Sequence, residues 1–161
     1  MLTTSQGSAL GYVSEVASHT LRQSREQISE ILRLSDCEPT TSDAVKTSII
    51  RSAPIDLNFH PDRIDNSGLS VAEGLLKHGV YKNQFETQIS NGGLTAYEGG
   101  DRDQWEERLF GGAYQGKGVK PEHRPKYGGL NLLGFWDGAC ARFGSCYLRL
   151  KPHVARRCTF S

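Results

Sequence analysis

Glycine is distributed very unevenly along the 161-residue chain, and this distribution limits what its second half can form. Thirteen of the 18 glycines lie between Gly92 and Gly144, including four Gly-Gly doublets. Doublets at this density interrupt helices and strands, and they are typical of tight turns or of close backbone approach. Trp105 and Trp136 fall in the same stretch and need surface to pack on. We therefore predict an ordered, loop-rich region with short strands, one of them within residues 142–150, and with both tryptophans substantially buried.

The first third of the chain has helical periodicity. Apolar residues recur at near-helical spacing over residues 8–34, and neither Gly nor Pro follows Gly11 in this stretch. A second helix is predicted over residues 42–51, because Ser42 is a suitable N-cap and Pro54 prevents further extension. Residues 1–54 are thus predicted to be a helical N-terminal region.

Three short elements are predicted next. Residues 55–59 alternate apolar and polar side chains, which is typical of a half-buried strand. Ser70 is expected to cap a helix over residues 71–78, and residues 80–89 are predicted to form another strand. The predicted fold class is α+β, in which a helical N-terminal third precedes a mixed or antiparallel sheet with glycine-rich loops.

Composition and charge of the whole chain give no support to several classes of function. The net charge of +1 gives no global field for nucleic acid or for an anionic membrane. No run approaches the roughly 18 apolar residues that a membrane span needs, and the N-terminus lacks the pattern of a classical secretory signal peptide. The cysteines show neither a C-x-x-C pair nor zinc-finger spacing, so we expect unlinked thiols and no metal site: Cys37, Cys140, Cys146 and Cys158.

The clearest candidate binding residues follow the strand predicted over residues 55–59. His60-Pro61-Asp62-Arg63 presents Arg63, and with it His60, to an anionic ligand, because a guanidinium is a permanently charged fork for phosphate or ribose oxygens. A turn in which Asp62 and Arg63 satisfy only local groups remains an alternative. A J-domain, which carries His-Pro-Asp after a basic helix, is disfavoured because Pro54 and the strand pattern leave no room for that helix.

A second polar group follows the strand predicted over residues 80–89. Thr87, Ser90, Asn91 and Gly92 either line a ligand site or mark a strand that enters a glycine turn, since Asn-Gly is a strong hairpin signal by itself. Paired with Arg63, these residues complete the candidate cofactor-binding set.

Two further patterns have ordinary explanations. Glu106 and Glu107, in a helix that starts near residue 101, are a possible general acid or base pair, but such pairs are more often a solvated helix face. Basic and aromatic residues alternate over 124–131 and 142–147, which is also a feature of nucleic-acid binding. Because the run is short and the chain nearly neutral, we favour loops packed around a cleft and expect no nucleic-acid partner.

Long ungapped stretches resemble a family of type III effectors from plant-pathogenic Xanthomonas that has a mono-ADP-ribosyltransferase-like fold. The resemblance spans nearly everything from Ala44 to Phe160. Its main segments are residues 57–63, 79–87, 90–95, 99–106, 110–114, 124–128 and 142–146.

The resemblance implies an activity, a cofactor and a location. These enzymes transfer ADP-ribose from NAD to a protein side chain by means of an Arg, a Ser-Thr-Ser strand and a late Glu. Arg63 corresponds to the Arg, and Thr87 to Ser90 correspond to the serine strand. The implied setting is a virulence factor delivered into the host cell by a type III system and acting on a host protein.

The late Glu has no counterpart in this chain. The last acidic residues are Glu122 and Asp137, and neither lies on a predicted late strand. Residues 55–161 therefore correspond to the N-terminal half of the transferase-like domain, and we expect that the domain is truncated at its C-terminus. Since that carboxylate stabilises an oxocarbenium-like transition state, a contribution of roughly 3–4 kcal/mol, we expect weak or absent transfer. The alternative is a non-enzymatic module whose altered cleft binds a peptide or another non-NAD ligand.

Overall fold

The computed structural model describes residues 2–89 and 95–160. The N-terminal region consists of α1 (Thr4–Leu34) and α2 (Thr41–Ser52). Helix α1 begins earlier than predicted, because the Thr3 side chain accepts a hydrogen bond from the backbone N–H of Gln6 and caps the first turn. Helix α2 spans nearly the predicted residues, but Ser42 lies within it and the N-cap is Thr40, so the predicted Ser42 cap is wrong.

Three shorter helices follow: α3 (Val71–His78), α4 (Gln84–Thr87) and α5 (Asp101–Phe110). Helix α3 confirms its prediction at both ends, because Ser70 caps it and Gly79 ends it in the left-handed region at φ 65°. Short 3₁₀-helices occur at Pro121–His123, Ala141–Phe143 and Pro152–Arg157.

The predicted strand over residues 80–89 is wrong, because its centre is the helical turn α4. The Asn83 side chain accepts hydrogen bonds from the backbone N–H groups of Phe85 and Glu86. The Glu86 carboxylate in turn accepts the Asn83 N–H at 2.8 Å. This reciprocal capping box satisfies backbone donors locally and so favours a helical turn over the predicted strand.

An antiparallel sheet lies beside the helices, which confirms the α+β class. Its described strands are β1 (Ile55–Phe59), β2 (Gly129–Leu130) and β3 (Cys146–Arg149), in the order β2-β1-β3. The strand predicted within 142–150 is thus shorter than expected, because Ala141–Phe143 is a 3₁₀ turn. Strand β1 is the central strand, and Leu57 is buried and Phe59 half-buried as predicted.

Much of the described interior is polar. Apolar packing centres on Ala9, Phe110 and Tyr114, where α1 meets α5. Among the described residues, the three largest side chains that are fully buried are Glu106, Asn131 and Asp56. Buried polar groups cost free energy unless they are paired, so hydrogen-bond networks determine how the loops are held.

Asp56 fastens both edge strands to β1. Its carboxylate accepts two hydrogen bonds from the Arg149 guanidinium, at 2.8 and 3.0 Å, and one from Asn131 Nδ2 at 2.9 Å. The Arg149 hydrogen bonds hold the pKa of Asp56 below its ordinary value, despite burial. The alternating pattern of β1 does not predict the complete burial of Asp56, because that burial depends on Arg149, 93 residues away.

The glycine-rich region is ordered by close approach to β1. A Cβ at Gly128 would lie 2.7 Å from the Asp56 carbonyl oxygen, so only glycine permits this contact. The Asn58 side chain donates to the carbonyls of Asp137 and Gly144, at 2.9 and 3.1 Å, and accepts the Cys140 N–H at 3.0 Å. One buried strand residue therefore holds the whole loop between β2 and β3.

The prediction that both tryptophans are substantially buried is wrong. Trp105 is 39 % exposed and Trp136 is 87 % exposed. Trp105 packs beside Tyr127 and Arg102 on one side of α5, whereas Trp136 projects from the loop after β2. The loops are ordered by polar side chains of β1 rather than by the tryptophans.

Candidate ligand-binding cleft

A cleft of about 290 Å³ opens at the end of β1. One wall is formed by the segment after β1 and by α3, and the other by Arg102 of α5 and the segment that precedes β2. Its volume is close to the lower end of the range for small-molecule sites, roughly 300–1,000 Å³. The lining residues used below are Phe59, His60, Arg63, Asp65, Tyr81, Lys82, Thr87, Arg102, Lys126 and Tyr127.

Three of the predicted cofactor-binding residues share this cleft. His60, Arg63 and Thr87 all line it, although they come from two separate segments of the chain. The remaining three, Ser90, Asn91 and Gly92, lie outside the described residues, so the expected reach from Arg63 to Ser90 stays a prediction. Thr87 belongs to helix α4 and not to a strand, which corrects the strand position given to it from sequence.

The segment that carries Arg63 is fixed to the start of α3. The Val71 N–H donates to the Arg63 carbonyl at 2.9 Å, and the Ala72 N–H donates to the Pro61 carbonyl at 3.0 Å. These bonds use donors of the first helical turn, which have no partner within the helix. A strand, not a helix, precedes His60-Pro61-Asp62, so the structure lacks the helix that a J-domain requires.

The cleft lining carries an excess of positive charge. Arg63, Lys82, Arg102 and Lys126 contribute four cations, and the carboxylates among the described lining residues are those of Asp56 and Asp65. Both carboxylates are already engaged. Asp56 binds Arg149, and Asp65 accepts hydrogen bonds from Ser67 and Leu69 and lies 3.9 Å from the Lys82 ammonium. A cleft with this balance attracts anionic ligands.

Aromatic rings form part of both walls. Phe59 and Tyr81 pack with ring centroids 5.7 Å apart, and burial raises the pKa of the Tyr81 phenol, which therefore stays neutral. On the other wall, the Arg102 guanidinium lies 5.0 Å from the ring centroids of both Trp105 and Tyr127. Cation–π contacts of this kind fix the direction of a guanidinium without neutralising its charge.

A buried ionic network supports the Tyr127 wall from behind. The Tyr127 hydroxyl donates to Glu106 at 2.6 Å, and the Arg124 guanidinium donates to the other Glu106 oxygen at 3.0 Å. Arg124 also pairs with Asp103 at 2.6 Å. Burial raises the pKa of Glu106, and burial together with the Glu106 charge raises the pKa of Tyr127. The network holds the ring that Arg102 stacks on.

The interpretation of the Glu106-Glu107 pair as a solvated face is wrong for Glu106, which is 1 % exposed, and right for Glu107. Helical spacing distinguishes the two positions, since they face different directions on α5, but it does not reveal which face is buried. Glu106 does not line the cleft, because Tyr127 and Arg124 occupy its carboxylate oxygens.

Sequence reasoning missed the residues that complete the cleft. Lys82, Arg102 and Lys126 were not among the predicted binding residues, and the fold brings them together from distant parts of the chain. Lys126 belongs to the stretch 124–131, whose prediction as a loop packed around a cleft is confirmed. One signal was available for the neighbouring α4 turn, namely Asn83 followed three residues later by Glu86.

All four cysteines are free thiols. In residues 2–89 and 95–160 no group of three or more His, Cys, Asp or Glu is placed to hold a metal ion.

Together these features define an α+β domain with a cationic, partly aromatic ligand cleft beside a small antiparallel sheet. Residues 54–161 match a family described as a protein of unknown function, DUF3626, and the chain belongs to that family. The matched segment contains every residue that lines the cleft. Searches of curated proteins and of solved structures found no match. No helix in the described part of the chain is long and apolar enough to cross a membrane.

Proposed function

We propose that this cleft binds an anionic nucleotide of the NAD type, in a bacterial effector domain of the mono-ADP-ribosyltransferase class. The observation that supports the proposal most strongly is that residues from separate segments line the same cleft. His60, Arg63 and Thr87, predicted from sequence to bind the cofactor, share a cleft with three cations outside that predicted set: Lys82, Arg102 and Lys126.

The chemistry of the lining fits a dinucleotide. Arg63 supplies a bidentate fork for a phosphate or ribose oxygen, and Arg102 supplies a second guanidinium from the opposite wall. Tyr81 and Phe59 offer an apolar face for a ring, because Tyr81 is neutral. NAD bound here would supply the ADP-ribose group and a nicotinamide leaving group.

The chain's own residues bind and orient the ligand in this proposal. Arg63 holds an oxygen of the dinucleotide near His60, and the ring of Tyr127 excludes water on the far side. The carboxylates that line the described cleft are committed to Arg149 or Lys82. We therefore propose a domain that binds NAD but transfers ADP-ribose poorly by itself, within a virulence factor delivered by a type III system to modify a host protein.

Calorimetric titration with NAD tests this function. We expect saturable binding by the chain and at least about tenfold weaker binding by Arg63→Ala, because a hydrogen bond to a charged group contributes roughly 1.5–3 kcal/mol. Arg63→Lys keeps the charge but loses the fork, so its affinity should lie between the two.

Arg25→Ala is the matched control, since Arg25 is an exposed arginine on α1. It should bind NAD as tightly as the unaltered chain. No heat of binding, or equal affinity in Arg63→Ala, would contradict the proposed function.

A peptide or another non-NAD ligand is the second candidate. Apolar residues also line the cleft, namely Val71, Leu75, Val80, Ile89 and Phe143. Such a wall favours side chains over phosphates. Two results would favour this module over the nucleotide site. Calorimetry would show no heat of binding with NAD, and the chain would enrich peptides from an acidic peptide library, an enrichment that Arg63→Ala abolishes.

A further inference from the structure

Four large apolar side chains project into solvent from the loop that directly follows β2. The exposed fractions are 57 % for Leu132, 79 % for Leu133, 52 % for Phe135 and 87 % for Trp136. We name residues 132–136 the apolar loop. A contiguous group of this kind on a protein surface marks an interaction site, whereas single exposed apolar residues need no explanation.

Hydrogen bonds fix the apolar loop in its exposed position. The Asn131 side chain donates to the Phe135 carbonyl and accepts the Phe135 N–H, each at 2.7 Å. Asn131 is itself anchored to β1, because its Nδ2 donates to Asp56 at 2.9 Å and its backbone N–H donates to the Pro54 carbonyl at 2.9 Å. The fully buried Asp56 and Asn131 thus hold a tight loop whose four large apolar side chains are more than half exposed.

Basic residues leave the sheet at the same end as this loop. The segment from Ala139 to Ser161 contains five Arg or Lys residues and no acidic residue, although the whole chain is nearly neutral and Asp137 directly follows the loop. Arg149 lies beside the loop, and its charge is balanced by the Asp56 carboxylate that it shares with Asn131. Lys151 follows β3, where the Leu150 N–H donates to the Ile55 carbonyl. Arg156 and Arg157 are exposed in the next 3₁₀ turn.

We propose that the apolar loop inserts into the interface of an anionic lipid membrane, with the basic segment bound to the lipid head groups. Trp and Phe with two Leu side chains match the boundary between head groups and acyl chains, where amphipathic rings are favoured. Cations next to the membrane surface add attraction to anionic lipids. This is peripheral attachment and needs no membrane-spanning helix.

The size of the loop disfavours a second copy of the chain as its partner. A stable protein–protein interface buries roughly 800 Å² on each partner, and five consecutive residues that project as a tip supply only a small part of that area. The four exposed side chains come from one short loop, so they suit insertion into the soft interface of a membrane.

Vesicle co-sedimentation with the full chain tests the proposal. The vesicles contain phosphatidylcholine alone or with about 30 % phosphatidylserine. We expect binding to the anionic vesicles, with quenching of Trp fluorescence by brominated acyl chains. Leu133→Ser combined with Trp136→Ser should reduce the partition coefficient at least about tenfold, since both side chains lose apolar burial in the membrane. The double variant Arg156→Ala, Arg157→Ala should weaken binding to the anionic vesicles and leave binding to pure phosphatidylcholine vesicles unchanged.

Leu76→Ser combined with Ile50→Ser is the matched control. Leu76 and Ile50 are 90 % and 82 % exposed on α3 and α2, and neither belongs to the apolar loop. The control should bind as the unaltered chain does, and circular dichroism verifies that each variant is folded. The proposal is overturned if anionic vesicles leave the chain in solution or if the apolar-loop variant binds equally well. It is also overturned if sedimentation shows a dimer that the same variant dissociates.

Discussion

Arg124→Met is expected to destabilise the protein by about 3–5 kcal/mol, the typical cost of removing one partner of a buried ion pair. Arg124 is 9 % exposed and pairs with two buried carboxylates, those of Asp103 and Glu106. It also donates to the Tyr114 carbonyl and lies over the Phe85 ring at 3.9 Å. Its removal leaves these two carboxylates without this cation. The expected loss is a large fraction of the typical free energy of unfolding, about 5–15 kcal/mol.

Denaturant unfolding measures this effect, with Arg108→Met as the control. Arg108 is exposed on the same helix, α5, so its change should remain within about 0.5 kcal/mol. Adding Glu106→Gln to Arg124→Met should restore part of the loss, because it removes one unpaired buried charge. A loss of less than about 1 kcal/mol for Arg124→Met, the net contribution of one ordinary hydrogen bond, would show that the network contributes little to stability.

NAD hydrolysis and protein labelling by this chain are expected to be slower than in an intact transferase by a factor of about 10²–10³. The physical reason is that the carboxylates described in the proposed NAD site already have cationic partners. Asp56 and Asp65 line the cleft but hold Arg149 and Lys82, and Glu106 is held by Arg124 and Tyr127.

Nicotinamide release at high protein concentration, followed by chromatography, measures this rate. Arg63→Ala serves as the background, since it is expected to bind NAD poorly. Turnover comparable to that of known transferases, absent in Arg63→Ala, would contradict the prediction and would show that another carboxylate fills the role. Labelling that disappears in Glu107→Gln or Glu122→Gln, both exposed positions, would identify it.

Local signals in the sequence predict the elements that depend on few residues. The strand before His60 and the helix after Ser70 are correct, because alternation and capping act over short distances. Residues 84–87 form a helical turn instead of the predicted strand, because Asn83 and Glu86 cap it reciprocally. Such a capping pair, three residues apart, is a local signal for a helix.

The sequence does not predict which polar side chains are buried or which aromatic side chains are exposed. Asp56 and Glu106 are buried because Arg149 and Arg124 reach them from distant segments, and no local pattern records such pairing. The apolar ring of Trp136 predicts burial, but the side chain is exposed because Asn131 holds its loop at the surface. For the cleft, the sequence predicts His60 and Arg63 from a strand end, whereas Arg102 joins them only through the tertiary fold.

The most direct test of the central claim is a titration of the isotopically labelled chain with NAD, followed by amide chemical shifts. The account predicts saturable shifts at His60, Arg63, Thr87 and Arg102, with no change in the exposed part of α1 around Arg25. The same titration of Arg63→Ala should leave these amides unshifted at the NAD concentration that saturates the unaltered chain. Shifts confined to α1 and α2, or none at all, would contradict a nucleotide site in this cleft.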